Sequence, residues 1–389
     1  MKNFSFLLRA SLLSMIGICH IMSGDLWAGA EAMAYTLLKG LLQYRDLRLS
    51  AILLNEGKLA AKVRSLGIPV AVLDEARESF PRILAEARRT LQREAPHIIH
   101  SHRYKENIIA CLASGFGGRI RRVATQHGMP EVHDRRDTLS RRLALRLDFF
   151  VLSRFFRKTI AVSGDMRKML VASCGVPEDR VQVIHNGIEV PEGHPPRGEG
   201  DTLVVGSAGR FHRVKDFPLL VRVAREVARR RRDVRFEIAG EGPGEKEIQE
   251  LIRGYGLEGT VVLRGFVEET AAFYRGLDLY LNTSLHEGIP LGVLEAMSHG
   301  VPVVAPAVGG LAEIIRDGVH GHLVVGRDAE QFAEKCIALC SSPPVRRRMG
   351  AAARARVLGS FSLGSMAGQY RQLYIEALAE GCGGSSAAA

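Results

Sequence analysis

Short runs of Val, Ile and Leu recur along the chain, and each is followed by a longer stretch whose apolar residues fall at helical spacing. Continuous apolar runs bounded by turn residues suit strands buried on both faces, so the alternation predicts parallel sheets covered by helices. In the first half strands are expected at 16–23, 47–54, 69–73, 97–102, 122–126, 159–163 and 181–185. In the second half they are expected at 203–206, 234–239, 261–263, 277–282, 301–304 and 322–325. Turn residues fill 191–200 between the halves and read as a linker. A chain of 389 residues exceeds one ordinary core, so two domains are expected, over 16–190 and 201–362. A helix over 363–380 follows, and the small residues of 381–389 read as a flexible tail.

Two glutamates eight residues apart stand out in Ser284-Leu-His-Glu-Gly-Ile-Pro-Leu-Gly-Val-Leu-Glu-Ala-Met297. Pro290 suits a first helical position, Gly288 permits a sharp entry, and Gly300 before Val301-Pro302 ends the helix. Glu287 then lies just before a helix N-terminus and Glu295 on its second turn. Free N–H groups there, from Leu291 onward, favour an anion such as a diphosphate, and the carboxylates can accept hydrogen bonds from hydroxyls. In the plainer reading Glu287 caps the helix and Glu295 is an ordinary solvated residue.

Upstream, Ser207-Ala-Gly-Arg-Phe-His-Arg-Val-Lys-Asp216 follows the strand at 203–206 and precedes a helix starting near Asp216. Ligands of open α/β sheets bind at such strand ends. Arg210 can grip phosphate oxygens in a bidentate fork and Lys215 adds a mobile point charge, whereas Arg213 reads as a solvated loop cation.

Together these residues resemble the retaining glycosyltransferases of family 4, which have the GT-B fold. The resemblance runs through Gly209-Arg210 with Lys215, Glu287-Gly288 with Glu295-Ala296-Met297, and 304–310. It also includes Ala161-Val162-Ser163, 183–188 and 370–374. It implies two Rossmann-like domains facing across a cleft, the first for acceptor and the second for nucleotide sugar, with the helix at 363–380 crossing back onto the first. It also implies that Arg210 and Lys215 bind the donor diphosphate, Glu295 holds the ribose and Glu287 lies beside the transferred sugar, with Gly288, Pro290 and Leu291 completing the donor site.

After the first strand, Gly29 opens a helix where a ligand can approach the backbone, and Trp27, the only tryptophan, can stack on a sugar or anchor the loop. Family members usually carry a glycine pair at this turn; Ala28-Gly29 replaces it, and Asp25-Leu26-Trp27 is inserted. His127, at the end of the strand at 122–126, resembles a family histidine facing the reacting sugar, or is structural. His100 and His102 read as supports of the domain interior. Gly240-Glu-Gly-Pro-Gly244 imitates a dinucleotide loop, but Glu245 stands where the third glycine belongs, so it reads as a tight turn near the donor. Neither an Asp-x-Asp motif nor a metal-ligand spacing is present, and a metal-independent reaction without a cofactor is expected.

The formal net charge of +11 favours anionic partners. Residues 135–158 combine seven arginines with Leu139, Leu143, Leu147, Phe149, Phe150, Leu152, Phe155 and Phe156. That is either a basic amphipathic helix for an anionic membrane surface or a domain helix with a buried Leu/Phe face. The arginines at 229–232 read as a solvated helix end, and no nucleic-acid motif accompanies the charge. The first fifteen residues imitate a signal peptide, but Arg9 interrupts the apolar run and cleavage beyond it would remove the first strand. They are expected to be an extension or a misassigned start, with Met15 as the true one. Six scattered cysteines without C-x-x-C pairs fit a reducing cytoplasm.

The expected function is transfer of a hexose from a nucleotide sugar to a hydroxyl of a glycan or lipid-linked acceptor. The expected setting is cell-surface polysaccharide or lipopolysaccharide synthesis, in the cytoplasm or on the inner face of the membrane. The alternatives are a sugar-nucleotide epimerase of the same fold and a non-catalytic sugar-nucleotide-binding protein.

Overall fold

The computed structural model describes residues 15–24, 27, 29–117, 119–128, 139–193 and 200–379. The expected extension before Met15, the inserted Asp25 and Leu26, most of the linker, and the tail at 381–389 lie outside the described residues. The chain divides into two compact units. One comprises the residues through Asn186 together with those from Leu363, and the other is Gly187–Ser362.

The first unit holds seven strands: β1 (Ile16–Met22), β2 (Leu47–Leu53), β3 (Val70–Val72), β4 (Ile98–Ser101), β5 (Arg121–Gln126), β6 (Lys158–Ala161) and β7 (Val181–Val183). Their order is β3-β2-β1-β4-β5-β6-β7, all parallel. The second unit holds β8 (Leu203–Ala208), β9 (Val234–Ala239), β10 (Val261–Gly265), β11 (Leu279–Leu281), β12 (Val303–Pro306) and β13 (Gly321–Val324). Their order is β10-β9-β8-β11-β12-β13, again parallel. In each sheet the direction of winding reverses beside the first strand, between β1 and β4 and between β8 and β11. Chains diverge there, so the carboxyl ends of those strands flank a crevice.

Apolar burial holds each sheet to its helices. Ile21, Ile52, Ile99, Ala124 and Ala161 of the first sheet pack with Ile109, Leu152 and Met166 from the helices. In the second unit, Val205, Phe236, Ile238 and Leu279 pack with Leu220, Val223 and Phe332. β11 is shorter than the expected 277–282, and just before it Asp278 Oδ2 accepts from Val204 N–H at 2.9 Å.

The helix Leu363–Ala379 belongs to the first unit and packs on the helix Gly29–Leu41. Arg371 pairs with Asp46 through two nitrogens, Nε at 3.1 Å and Nη2 at 2.6 Å. Its buried Tyr374 and Tyr370 hydrogen-bond His100 Nδ1 at 2.7 Å and Thr125 Oγ1 at 3.0 Å.

The arginine-rich helix spans Leu139–Phe155. It buries Asp148, Val151 and Leu152, but Leu143, Leu147 and Phe150 are 64%, 47% and 58% exposed. The expected burial of a single Leu/Phe face is therefore only partial. The buried Asp148 carboxyl of this helix accepts from Asn107 Nδ2 at 2.7 Å, and Asn107 Oδ1 accepts from Ser101 at 2.6 Å. Burial pushes Asp148 up to about 7, with the Asn107 bond opposing. Because the folded value lies above the unfolded one, this contribution to stability is full below pH 3.8 and is lost as pH rises through about 7. Asp148→Asn should therefore gain on the wild type in urea midpoint across that interval. Midpoints that run parallel with pH would contradict a neutral buried carboxyl.

Candidate functional site

At the switch point of the second sheet, the loops after β8 and β11 meet. The first carries Arg210 and Lys215, and the second carries Glu287. Lys215 Nζ lies 2.6 Å from Glu287 Oε1, which also accepts from Ser284 Oγ at 2.6 Å. The Glu287 side chain is only 10% exposed and that of Lys215 26%. Glu287 is therefore no helix cap; it is a largely buried carboxylate held by one ammonium and one hydroxyl.

Backbone hydrogen bonds stitch the two loops together. Leu285 N–H donates to Val214 O at 2.8 Å, and Thr283 Oγ1 donates to Lys215 O at 3.1 Å. Asp216, at φ 44°, caps the helix Phe217–Ala228 by accepting from Leu219 N–H at 3.2 Å. Arg327, arriving after β13, pairs with Asp216 and also donates to Ser284 O at 2.9 Å. One guanidinium thus fastens both loops. Nothing near Arg327 in the sequence marks it, because its partners lie 43 and 111 positions away.

The helix after Glu287 is Leu291–Ser298, and Pro290 is its N-cap rather than its first residue. Pro290 has ψ 120°, an extended value, so the helix starts one residue later than expected while its carbonyl accepts from Leu294 N–H at 3.2 Å. No side chain caps this end, which leaves the first N–H groups for a ligand. Glu295 is only partly exposed. Burial pushes its carboxyl up, and a hydrogen bond from Tyr274 opposes the shift.

Glycines let these loops approach one another. Gly310 N–H donates to Glu287 O at 3.0 Å, and a Cβ on Gly310 would stand 1.8 Å from Gly288 O. Gly310→Ala should therefore cost about 1–3 kcal/mol through overpacking and pull Glu287 away from Lys215. An unchanged urea midpoint would contradict this packing. Likewise, a Cβ on Gly240 would stand 1.9 Å from Gly209 O. The loop 240–244 is the seat of the Arg210 loop: Phe211 N–H donates to Glu241 O and Gly244 N–H to Phe211 O, each at 2.9 Å. Arg210 is exposed, and no side-chain hydrogen bond or ion pair engages it among the described residues.

In the first unit, Gly29 opens the helix Gly29–Leu41, and the space a Cβ would occupy there is open. Trp27 stands edge-on to Tyr35, with Lys58 and Lys62 ammonium groups 5.7 and 5.2 Å from its ring centre. Those contacts fit a loop anchor. His127 follows β5, and its Nε2 lies 3.0 Å from His102 Nδ1.

Among the described residues, His20, His100 and His102 bring ring nitrogens within 4.8 Å of one another. They fit a metal poorly. Their nitrogens, except His20 Nε2, already bind each other or His127, Tyr374 and Thr125.

Residues 27–192 match the family described as Glycosyltransferase Family 4, and 202–342 the family described as Glycosyl transferases group 1. A D-inositol 3-phosphate glycosyltransferase of Pseudarthrobacter chlorophenolicus is 30% identical over 321 residues, spanning 73% of this chain and 73% of that protein. The putative colanic acid biosynthesis glycosyltransferase WcaL of Escherichia coli is 28% identical over 186 residues, 45% of each chain. Anabaena HepE, solved with UDP and glucose, is similar at a TM-score of 0.79 and 22% identity, over 92% of this chain and 98% of that one. With both sheets wound as described and both halves matched, the chain belongs to the family 4 (group 1) glycosyltransferases, in a GT-B fold.

Proposed function

We propose that the protein is a retaining, metal-independent hexosyltransferase that takes its sugar from a nucleoside diphosphate and delivers it to a hydroxyl of a glycan or lipid-linked acceptor. The observation that carries this reading is the meeting of Lys215 and Glu287 beside the uncapped helix end at the second sheet's switch point. Arg210, Lys215 and those N–H groups supply positive charge to a diphosphate, the task a divalent cation performs in metal-dependent transferases. Glu295 accepts from the ribose hydroxyls. As the sugar–phosphate bond breaks, charge on the sugar is met by Glu287, and the incoming hydroxyl passes its proton to the departing phosphate on the same face. His127 contacts the sugar. Calorimetric titration in chelator, against a panel of nucleoside diphosphates and nucleotide sugars, tests the assignment. Micromolar binding of one base supports it, whereas a silent panel demotes it.

The names of relatives such as WcaL support a role in cell-surface polysaccharide synthesis. Cys19, Cys111, Cys174, Cys336 and Cys340 are free, in keeping with the cytoplasm. No helix among the described residues is long and apolar enough to cross a membrane. The proposed attachment is peripheral, through Leu143, Leu147 and Phe150, which are exposed at one-turn spacing beside exposed Arg146 and Arg154. Sedimentation with phosphatidylglycerol vesicles should therefore be lost in Leu147→Asp/Phe150→Asp. Equal sedimentation of both proteins would overturn the attachment.

A further inference from the structure

Three imidazoles in the first unit form a chain. His20 lies on β1, while His102 and His127 follow β4 and β5. His20 Nδ1 is 3.0 Å from His102 Nε2, and His102 Nδ1 is 3.0 Å from His127 Nε2. The bonded rings are close to parallel, at 22° and 15°, with centres 5.3 Å apart at both junctions, as two imidazoles joined edge to edge by a ring N–H require. His100 stands outside the chain, its nitrogens engaged by Tyr374 and Thr125. It presses on His102 with ring centres 4.3 Å apart. Burial pushes His20 and His127 down to about 3 and His102 well below its usual range, so all three rings are neutral near pH 7.

Three neutral imidazoles own three ring protons. Each N···N contact takes one, and a neutral ring that donates from one nitrogen accepts at the other, so both bonds run in the same direction. The third proton must sit at an end, on His127 Nδ1 or on His20 Nε2. Both end atoms are buried without a hydrogen-bond partner among the described residues. His20 is 0% exposed, whereas His127 keeps part of its surface open at the strand end. An unpaired N–H costs more deep inside the sheet than on a ring at its edge that is partly open to solvent.

We propose that His20 and His102 are positioning residues for His127, and that the chain holds His127 as an Nδ1–H donor toward an oxygen of a carbohydrate ligand. His20 Nδ1–H donates to His102 Nε2, His102 Nδ1–H donates to His127 Nε2, and the third proton is offered at His127 Nδ1. The opposite state requires both bridging protons to cross their bonds, one proton to leave His127 Nδ1 and one to be gained at His20 Nε2. No charge accumulates, so the chain acts as a tautomer lock and not as a base. The identity of the ligand rests on the transferase reading; the proton arrangement does not.

Ligand-free protein labelled with 15N in its histidine rings tests the lock by NMR, independently of any transfer assay. The expected result is the Nδ1–H form at all three rings, the minor tautomer of free histidine. Scalar couplings across the N–H···N bonds should join His20 Nδ1 to His102 Nε2 and His102 Nδ1 to His127 Nε2. An Nε2–H signal at His127, or absent couplings, overturns the proposal. His20→Phe keeps a ring but removes the first donor, and should move the His127 ring shifts from beyond the intervening ring. Unmoved shifts would show mere packing. If that variant does not fold, the wild-type couplings still decide.

Discussion

Replacing Glu287 with alanine is expected to lower turnover about 10²–10³-fold, the range for losing one preorganised electrostatic group, while nucleoside diphosphate binds nearly as tightly. Lys215 now spends one hydrogen bond on Glu287, and the variant releases that ammonium toward phosphate. Nucleotide affinity should therefore hold or rise slightly even as catalysis collapses. Glu287→Gln separates charge from shape: its amide oxygen can still accept from Ser284, whose hydroxyl now bonds Glu287 at 2.6 Å, but it carries no charge. If glutamine restores turnover, the carboxylate acts as a scaffold only. Paired measurement of kcat and nucleotide Kd checks both variants, and equal losses in the two quantities would falsify the assigned role.

Lys215→Ala should lower nucleotide affinity by about 1.5–3 kcal/mol, the scale for hydrogen bonds to charged groups, which is roughly 10- to 150-fold. It should also destabilise the protein, because Glu287 stays largely buried with Ser284 alone for compensation. Arg210→Ala is expected to weaken nucleotide binding without that second effect, because Arg210 is exposed and engages no side-chain partner among the described residues. Melting temperature thus distinguishes the two cations, while calorimetry reads the loss they share. The double variant Lys215→Ala/Glu287→Ala should recover stability yet remain inactive. If Lys215→Ala melts with the wild type, the ion pair contributes nothing to the fold.

The thirteen strands among the described residues fall where apolar runs were expected, because burying a strand on both faces demands a run of branched apolar residues that needs no context to be read. Arg210, Lys215 and Glu287 were visible for a related reason: each sits in a short loop between a strand and a helix, where chain direction is dictated locally. Pro290 shows the limit of that logic. Proline is compatible with both N-cap and first-turn positions, and in the folded loop its extended ψ makes it the N-cap. The arginine-rich helix shows it again, since periodicity reveals an amphipathic segment but not how much of its apolar face finds a partner.

By itself, then, the sequence determined the alternation of strand and helix, the two-unit plan and the residue types at the strand ends, because these follow from local propensity and burial over a few neighbouring positions. Only the tertiary structure decided that Arg327 ties the Lys215 and Glu287 loops together, that Glu295 meets Tyr274, and that His20, His102 and His127 stand in N···N contact. Those contacts join residues from 21 to 111 positions apart in the chain. Such a partner is selected by the winding order of the sheet and by close packing, and nothing in the residues adjacent to it records the choice.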